Sequence, residues 1–177
     1  LQALSPVSQA VLITIEVAVQ NPNMDAPSLS LSNEAYVETA ARLRIFAEQA
    51  IVKHGYRPED WTLGSLFSDQ FALLMRGNAS RDDVAAVIRE LLGEFRIPLT
   101  VSEQTIPVTL NGSIVLMPQD GDSLPKVLER AHATIEDMKA KGRTGFAFYS
   151  PKLERQRDAK IKLETELRQA VSEDRFV

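Results

Sequence analysis

The sequence contains no cysteine and no long apolar run, and each absence removes a class of protein. Without cysteine the chain forms neither disulfides nor thiolate metal sites, which suits a reducing compartment, so we expect a cytoplasmic protein. The most apolar early segment, residues 10–19, is far too short to cross a bilayer, and it contains Glu16. We therefore expect no membrane insertion by this chain.

An excess of basic charge is also missing. The 177 residues include 20 Lys and Arg against 24 Asp and Glu, which gives a net charge of −4. A mildly acidic chain has no general attraction to phosphate backbones, so we expect no nucleic-acid partner. The hydrophobic fraction of 44% is ordinary for a globular domain, and the length suits one domain with a short appendage.

The spacing of apolar residues predicts alternating strands and helices in the order β-α-β-β-α-β-α-β. The predicted elements are a buried strand at 10–19, a helix at 34–54, a hairpin at 61–76, a helix at 80–95, a long strand at 105–117 that can pair with 97–101, a helix at 124–138 and a short strand at 145–150. This order predicts a mixed sheet covered by helices on one side or on both.

The stretch "GSLFSDQFALLM", residues 64–75, raises a question of function. Its short polar turn of Ser68, Asp69 and Gln70 between two apolar runs predicts a tight hairpin. A carboxylate at the tip of such a hairpin is typical of a metal or nucleotide site. However, the turn has no glycine to let phosphates approach its backbone, and Phe67 stands beside it.

The C-terminal stretch, residues 151–177, differs in composition from the rest. It is highly charged at first, with opposite charges at the spacing that supports an exposed helix. An apolar stripe of Leu163, Leu167, Ala170 and Val171 follows. The pattern predicts a linker helix whose far end docks on a partner; the alternative is a solvated C-terminal helix of the same domain.

Several segments, in order, resemble motifs of the GGDEF domain, the diguanylate cyclase family. "LITIEV" (12–17) resembles the family's first strand, and "FSDQF" (67–71) stands where the family has its Gly-Gly-Asp-Glu-Phe hairpin. The segment 110–143, which contains "DG", "LER" and "KAKGR", resembles the family's closing segment. The tail "ETELRQAVSEDRFV" (164–177) resembles the first helix of an EAL domain, the cyclic di-GMP phosphodiesterase family.

This resemblance implies a fold and a domain organisation. The expected fold is an α+β, ferredoxin-like palm of the nucleotide cyclases, with a mostly antiparallel central sheet and a C-terminal linker helix. Residues 1–150 would form a degenerate GGDEF domain, and 151–177 the linker helix and the start of an EAL domain. The parent would be a bacterial GGDEF–EAL tandem protein.

The resemblance also assigns roles to four charged residues. The family joins two GTP molecules into cyclic di-GMP, with Mg²⁺ held by two carboxylates. Glu16 and Asp69 match these carboxylate positions, and Lys139 and Arg143 match phosphate contacts. Each also has an ordinary structural alternative: a salt bridge for Glu16, a turn cap for Asp69 and helix-dipole contacts for the two cations.

Other family positions are substituted. Phe67 and Ser68 replace the hairpin glycines, and Met24 and Asn33 replace the residues that read guanine. Because phosphoryl transfer depends on positioning and charge, we expect no catalytic residue, no bound metal and no cofactor. "RPED" (57–60) resembles the family's RxxD inhibition site out of register, and a salt bridge between Arg57 and Asp60 in a turn is the favoured interpretation.

The resulting hypothesis is a catalytically inactive GGDEF domain that acts as a regulatory or dimerisation module. It would couple an upstream sensor domain to a downstream EAL domain in the same chain, with a homodimer as a further expectation. Two alternatives remain open: an allosteric module that binds GTP with Mg²⁺ and activates the EAL phosphodiesterase, and a weak residual diguanylate cyclase.

Overall fold

The computed structural model describes residues 9–19, 29–67 and 69–152, and scattered positions between 155 and 169. Its main sheet has five strands in the spatial order β2-β3-β1-β6-β7. The strands of this sheet are β1 (Ala10–Val19), β2 (Trp61–Phe67), β3 (Gln70–Arg76), β6 (Val108–Met117) and β7 (Gly145–Phe148). All neighbouring pairs are antiparallel except β6 and β7, so the predicted mostly antiparallel α+β fold is confirmed.

The central strand β1 is almost wholly buried because it lies between β3 and β6 and is covered on both faces. Its side chains alternate between the two faces of the sheet, as in any strand. Val11, Ile13 and Ile15 face the larger apolar core, whereas Leu12 belongs to a smaller core on the opposite face. The run of β-branched residues that predicted a buried strand thus contributes side chains to the cores on both faces of the sheet.

Three α-helices cover this sheet: α1 (Leu29–Phe46), α2 (Arg81–Glu94) and α3 (Leu124–Ala140). The larger core joins α1 and α2 to one face, and the smaller core joins α3 to the other. Helix α1 begins earlier than the predicted position 34, and it continues into a π-helical turn at Ala47–Ile51. Helices therefore lie on both sides of the sheet, which decides between the two predicted arrangements.

Ser80, followed three residues later by Asp83, is a sequence pattern that predicts a capping box, and the start of α2 confirms it. The backbone N–H of Asp83 donates to the Ser80 hydroxyl at 3.2 Å, and the backbone N–H of Ser80 donates to the Asp83 carboxylate at 3.1 Å. This reciprocal pair satisfies two backbone donors that a helix start leaves open. The hydrogen bonds from Ser80 also hold the pKa of Asp83 below its ordinary value.

The predicted long strand at 105–117 is wrong in one respect: it is two strands. Residues Gln104–Ile106 (β5) form a small separate hairpin with Leu99–Val101 (β4), and β6 begins only at Val108. Pro107 stands between them. Proline has no backbone N–H to donate to a ladder, so a strand is readily divided there.

A glycine in β6 is required by close packing. A Cβ added at Gly112 would lie 2.2 Å from the backbone oxygen of Thr14 and 2.3 Å from the ring of Phe146. Both distances are far inside van der Waals contact, so any side chain here must displace β1 or β7. Gly112 therefore permits Phe146 to pack over the middle of β6.

The described positions between 151 and 169 are helical, and all of them are exposed. Among these residues Leu163 has 57% of its surface accessible. Leu167, Ala170 and Val171, which complete the predicted apolar stripe, have side chains outside the described residues. In the described part of the chain, no helix combines the length and the apolarity needed to cross a membrane.

Candidate functional site

The carboxylate of Glu16 makes an ion pair with a lysine that is distant in sequence. Glu16 lies near the end of β1, and its even position directs the side chain to the face covered by α3. There the Nζ atom of Lys139, in the last turn of α3, lies 2.9 Å from Oε1 of Glu16. The predicted salt bridge of Glu16 at the end of its strand is therefore present. Its partner, Lys139, is one of the residues matched to the family's phosphate contacts.

The pair has an electrostatic consequence for the lysine. The hydrogen bond from Lys139 to Glu16 raises the pKa of the ammonium above its ordinary value, and the opposite charge of Glu16 adds to this. Glu136, one turn earlier on α3, lies 3.4 Å from the same Nζ and contributes less. Glu16 is only 14% exposed, so water screens this pair less than it screens a surface pair.

Asp69 lies at the tip of the β2–β3 hairpin. Its backbone oxygen accepts a hydrogen bond of 2.8 Å from the N–H of Val17, which extends the ladder between the hairpin and β1. Burial raises the pKa of Tyr36 on α1, and the charge of Asp69 raises it further. Tyr36 packs against the larger core.

The contact with Lys139 occupies the Glu16 carboxylate, one of the two groups matched to the family's metal ligands. Glu16 is bonded to an ammonium group, which provides the positive charge that a Mg²⁺ ion would otherwise supply. Within the described residues, no group of three or more His, Cys, Asp or Glu side chains is placed to hold a metal ion. Glu16 is thus paired with a protein cation, and the described contact of Asp69 is made by its backbone oxygen.

Phe67 shows how the hairpin differs from a glycine turn. The side chain is 69% exposed, and Phe67 pairs with Gln70 across the turn. A register shift between Ser65 and Phe67 marks a β-bulge, and the Ser65 hydroxyl donates to the Phe67 carbonyl at 2.7 Å. The bulge places Leu66 and Phe67 on the same side of the hairpin, facing α3.

The remaining substituted positions are only partly described. Asn33 is an exposed residue within α1. Met24 and Ser68 lie outside the described residues. Of the two positions that read guanine in the family, the structure thus describes only Asn33, whose side chain is open to solvent.

Arg143 does not join the Glu16–Lys139 pair. It is exposed and lines a separate pocket of about 420 Å³ between the end of α3 and β7, together with Lys141 and Lys152. Lys141 is paired with Asp137 at 2.7 Å. The structure thus brings Glu16 and Lys139 together and leaves Arg143 apart from them.

The predicted salt bridge between Arg57 and Asp60 is wrong in its detail. The Arg57 backbone N–H donates to the Asp60 carboxylate at 3.4 Å in a short 3₁₀ turn, Pro58–Asp60. The Arg57 guanidinium instead lies 3.7 Å from the carboxylate of Glu59. The turn is held by a local backbone contact, and both Arg57 and Glu59 are exposed.

Sequence reasoning missed the role of Asp120. This residue is 4% exposed, and its carboxylate accepts from the N–H of Leu116 at 3.0 Å, which closes the turn after β6. Arg130 donates to the Asp120 backbone oxygen at 2.7 Å and lies over the ring of Tyr149. The "DG" motif is therefore a structural turn, and the available sequence signal was an Asp followed by Gly just after a predicted strand.

The fold and site define a class of protein: an antiparallel α+β palm with a carboxylate on its central strand and another on an adjacent hairpin. A family profile described as "Diguanylate cyclase, GGDEF domain" matches residues 46–145. This match covers more than half of the chain. The protein therefore belongs to the GGDEF domain family.

Curated relatives agree with this assignment. The chain is 24% identical over 154 residues to the bifunctional diguanylate cyclase/cyclic di-GMP phosphodiesterase MucR of Pseudomonas aeruginosa, covering 87% of this chain and 22% of that protein. It is 27% identical over 109 residues to the cyclic di-GMP phosphodiesterase NbdA of the same organism, covering 61% and 14%. The chain thus spans less than a quarter of the length of these relatives.

Solved structures share the fold. An EAL/GGDEF domain protein from M. capsulatus is 22% identical, with a TM-score of 0.60 over 82% of this chain and 87% of that one. The GGDEF domain of PA1120 (YfiN or TpbB) from Pseudomonas aeruginosa is 19% identical, with a TM-score of 0.67 over 81% and 83%. At these identities the similarity establishes the palm fold alone.

Proposed function

We propose that this GGDEF domain is catalytically inactive and serves as a regulatory module in cyclic di-GMP signalling. The observation that carries the proposal is the contact of 2.9 Å between Lys139 and Glu16. A carboxylate committed to an ammonium group is not available to a metal–triphosphate complex unless that ion pair breaks. The substitution of the hairpin glycines by Phe67 and Ser68 supports the same conclusion, since backbone N–H groups no longer have a clear approach to phosphates.

The experiment is a cyclase assay on the 177-residue chain. The protein is incubated with GTP and Mg²⁺, and cyclic di-GMP is sought by chromatography against a blank without enzyme. The proposal predicts no product above the blank. Product that disappears in the variant Asp69→Ala would contradict it, because it would show that the hairpin carboxylate still supports the reaction.

The regulatory part of the proposal rests on the C-terminal segment. The described positions between 151 and 169 are helical and exposed, and Leu163 exposes 57% of its surface. With Leu167, Ala170 and Val171 it belongs to the apolar stripe predicted from the sequence, and such a stripe on a charged helix favours a partner. We assign that partner to an EAL domain in the same chain, with an upstream sensor domain in cis and a cytoplasmic location as in the sequence-based hypothesis. In the absence of the EAL domain, a second copy of the chain would take its place.

The relay is tested in the full-length protein by its phosphodiesterase output. Leu163→Asp places a charge on the apolar stripe, whereas Thr165→Asp places the same charge on the opposite side of the helix. The proposal predicts that only Leu163→Asp changes the output and the hydrogen exchange of the helix. Equal effects of the two variants, or none, would reduce the helix to a passive tether.

One observation favours a second candidate, an allosteric module that binds GTP. Glu16, Asp69, Lys139 and Arg143 keep the charges that the family places around its nucleotide. In this candidate GTP with Mg²⁺ would activate the EAL phosphodiesterase without being converted. The Kd of the unsubstituted 177-residue chain for GTP with Mg²⁺ distinguishes the two, because the first candidate predicts about 1 mM or weaker and this candidate predicts micromolar binding.

A further inference from the structure

A pocket of about 310 Å³ lies between α3 and the β2–β3 hairpin, on the face of the sheet opposite α1 and α2. Leu66, Phe67 and Gln70 form its hairpin side, and Thr14 of β1 contributes to the sheet side. Ligand sites for small molecules start at about 300 Å³ and are mostly apolar with a few placed polar groups. The pocket meets both conditions.

The β-bulge builds one wall of this pocket. In a regular strand, Leu66 and Phe67 would point to opposite faces, and only one of them could line the pocket. The register shift at Ser65/Phe67 places both on the α3 side, and the hydrogen bond from Ser65 to the Phe67 carbonyl holds the bulge. Leu66 is 40% and Phe67 is 69% exposed, so two large apolar side chains remain in water at the rim.

The chemistry of the lining specifies the ligand's charge. None of the described residues that line the pocket is Lys, Arg, Asp or Glu. A phosphate-bearing or carboxylate ligand would lose its hydration here without gaining a counter-charge, which is unfavourable. The pocket therefore selects against nucleotides and favours an uncharged ligand.

The polar side chains that line the pocket indicate that one edge of the ligand forms hydrogen bonds. The Gln70 amide and the His132 imidazole line the pocket, and neither makes a side-chain hydrogen bond to another described residue. The Thr14 hydroxyl is committed to Ser113 at 2.8 Å. Leu128 and Ile135 of α3 supply apolar surface facing the Phe67 side. Aromatic rings gain by packing against such surfaces.

From this geometry we propose that the pocket binds an uncharged, bicyclic heteroaromatic molecule with a donor–acceptor edge. The ring system packs between Phe67 and the apolar surface of α3, and its polar edge meets Gln70 and His132. Such a ligand would join the hairpin that carries Asp69 to the helix that carries Lys139. Glu16 and Lys139 do not line the pocket but adjoin it, because Gln70 pairs with Glu16 across the strands and Ile135 lies one turn before Lys139. The proposal does not depend on whether the domain is inactive.

The test is a titration of the ¹⁵N-labelled 177-residue chain followed by amide chemical shifts. The probes are quinazolin-4-one and benzimidazole, each uncharged at neutral pH, with benzoate as a charged control. We expect at least one uncharged probe to bind with a Kd of about 1 mM or tighter, with shifts concentrated at the hairpin and α3. Benzoate should bind at least tenfold more weakly.

Variants locate the binding. Phe67→Ala and Gln70→Leu should each weaken binding by about threefold to tenfold. Ile97→Ala is the matched control for Phe67→Ala, because Ile97 is 66% exposed and lies outside the pocket. The proposal is overturned if both probes fail to give saturable shifts, if benzoate binds equally well, or if Ile97→Ala weakens binding as much as Phe67→Ala.

Discussion

The ion pair between Glu16 and Lys139 makes a quantitative prediction about the lysine. In the variant Glu16→Gln, the Lys139 ammonium loses the carboxylate that contributes most to its raised pKa, so the pKa should fall towards the ordinary value of 10.5. Glu136→Gln is the matched control, since Glu136 is 53% exposed and lies 3.4 Å from the same Nζ. Its effect on the pKa of Lys139 should be clearly smaller.

The size of the stabilisation follows from the partial burial of the pair. Exposed ion pairs contribute about 0.2–1 kcal/mol. Because Glu16 is mostly buried but Lys139 is 45% exposed, we expect a coupling at the upper end, about 1 kcal/mol, in a double-mutant cycle of Glu16→Gln and Lys139→Met. The measurement is urea unfolding of the four proteins at neutral pH.

The dependence on pH has a definite sign. A raised pKa for Lys139 means that its contribution is complete below the ordinary value and is lost as the pH rises through the folded-state value. From neutral pH up to about pH 10, where Glu16 is ionised and Lys139 is protonated, the difference in unfolding free energy between wild type and Glu16→Gln should therefore be constant, and it should shrink at higher pH. A Lys139 pKa that does not change in Glu16→Gln, together with a coupling of zero, would refute the ion pair and the reasoning built on it.

Three further predictions concern stability, each measured by urea or thermal unfolding. Gly112→Ala should destabilise by about 1–3 kcal/mol or more because its Cβ meets backbone and ring atoms, whereas Gly93→Ala, with open space in α2, should stabilise by about 0.5–1 kcal/mol; equal effects would contradict the packing argument. Asp120→Ala should cost about 1–3 kcal/mol because it leaves the buried Leu116 N–H unpaired, and no cost would mean that water replaces the carboxylate. Ser80→Ala should cost about 0.5–2 kcal/mol by removing the helix cap, and an unchanged midpoint would show that the cap contributes nothing.

The order of elements was predictable because local patterns determine it. The apolar run of β1, the hairpin turn and the Ser80 cap each depend on neighbours in sequence, and the structure confirms all three. The division at Pro107 was equally local and was overlooked, although proline's missing donor is visible in the sequence. The early start of α1 fell in a stretch rich in Pro, Asn and Ser, where helix signals are weak.

The site was less predictable because its contacts join distant parts of the chain. The sequence indicated that Glu16 would make a salt bridge, but the choice of Lys139 depends on how α3 crosses the sheet. The pocket beside Phe67 depends on a bulge of one residue, which the alternation of apolar and polar residues in the hairpin does not predict. The sequence does not indicate that the exposed His132 lines the pocket, because only the placement of α3 brings it there.

The central claim is that the carboxylates of this palm no longer serve a metal–nucleotide complex. It is tested most directly by calorimetric titration of the 177-residue chain with GTP·Mg²⁺. The account predicts a Kd of about 1 mM or weaker, with no change in Asp69→Ala. A micromolar Kd that is lost in Asp69→Ala would contradict the account and would favour the GTP-binding module.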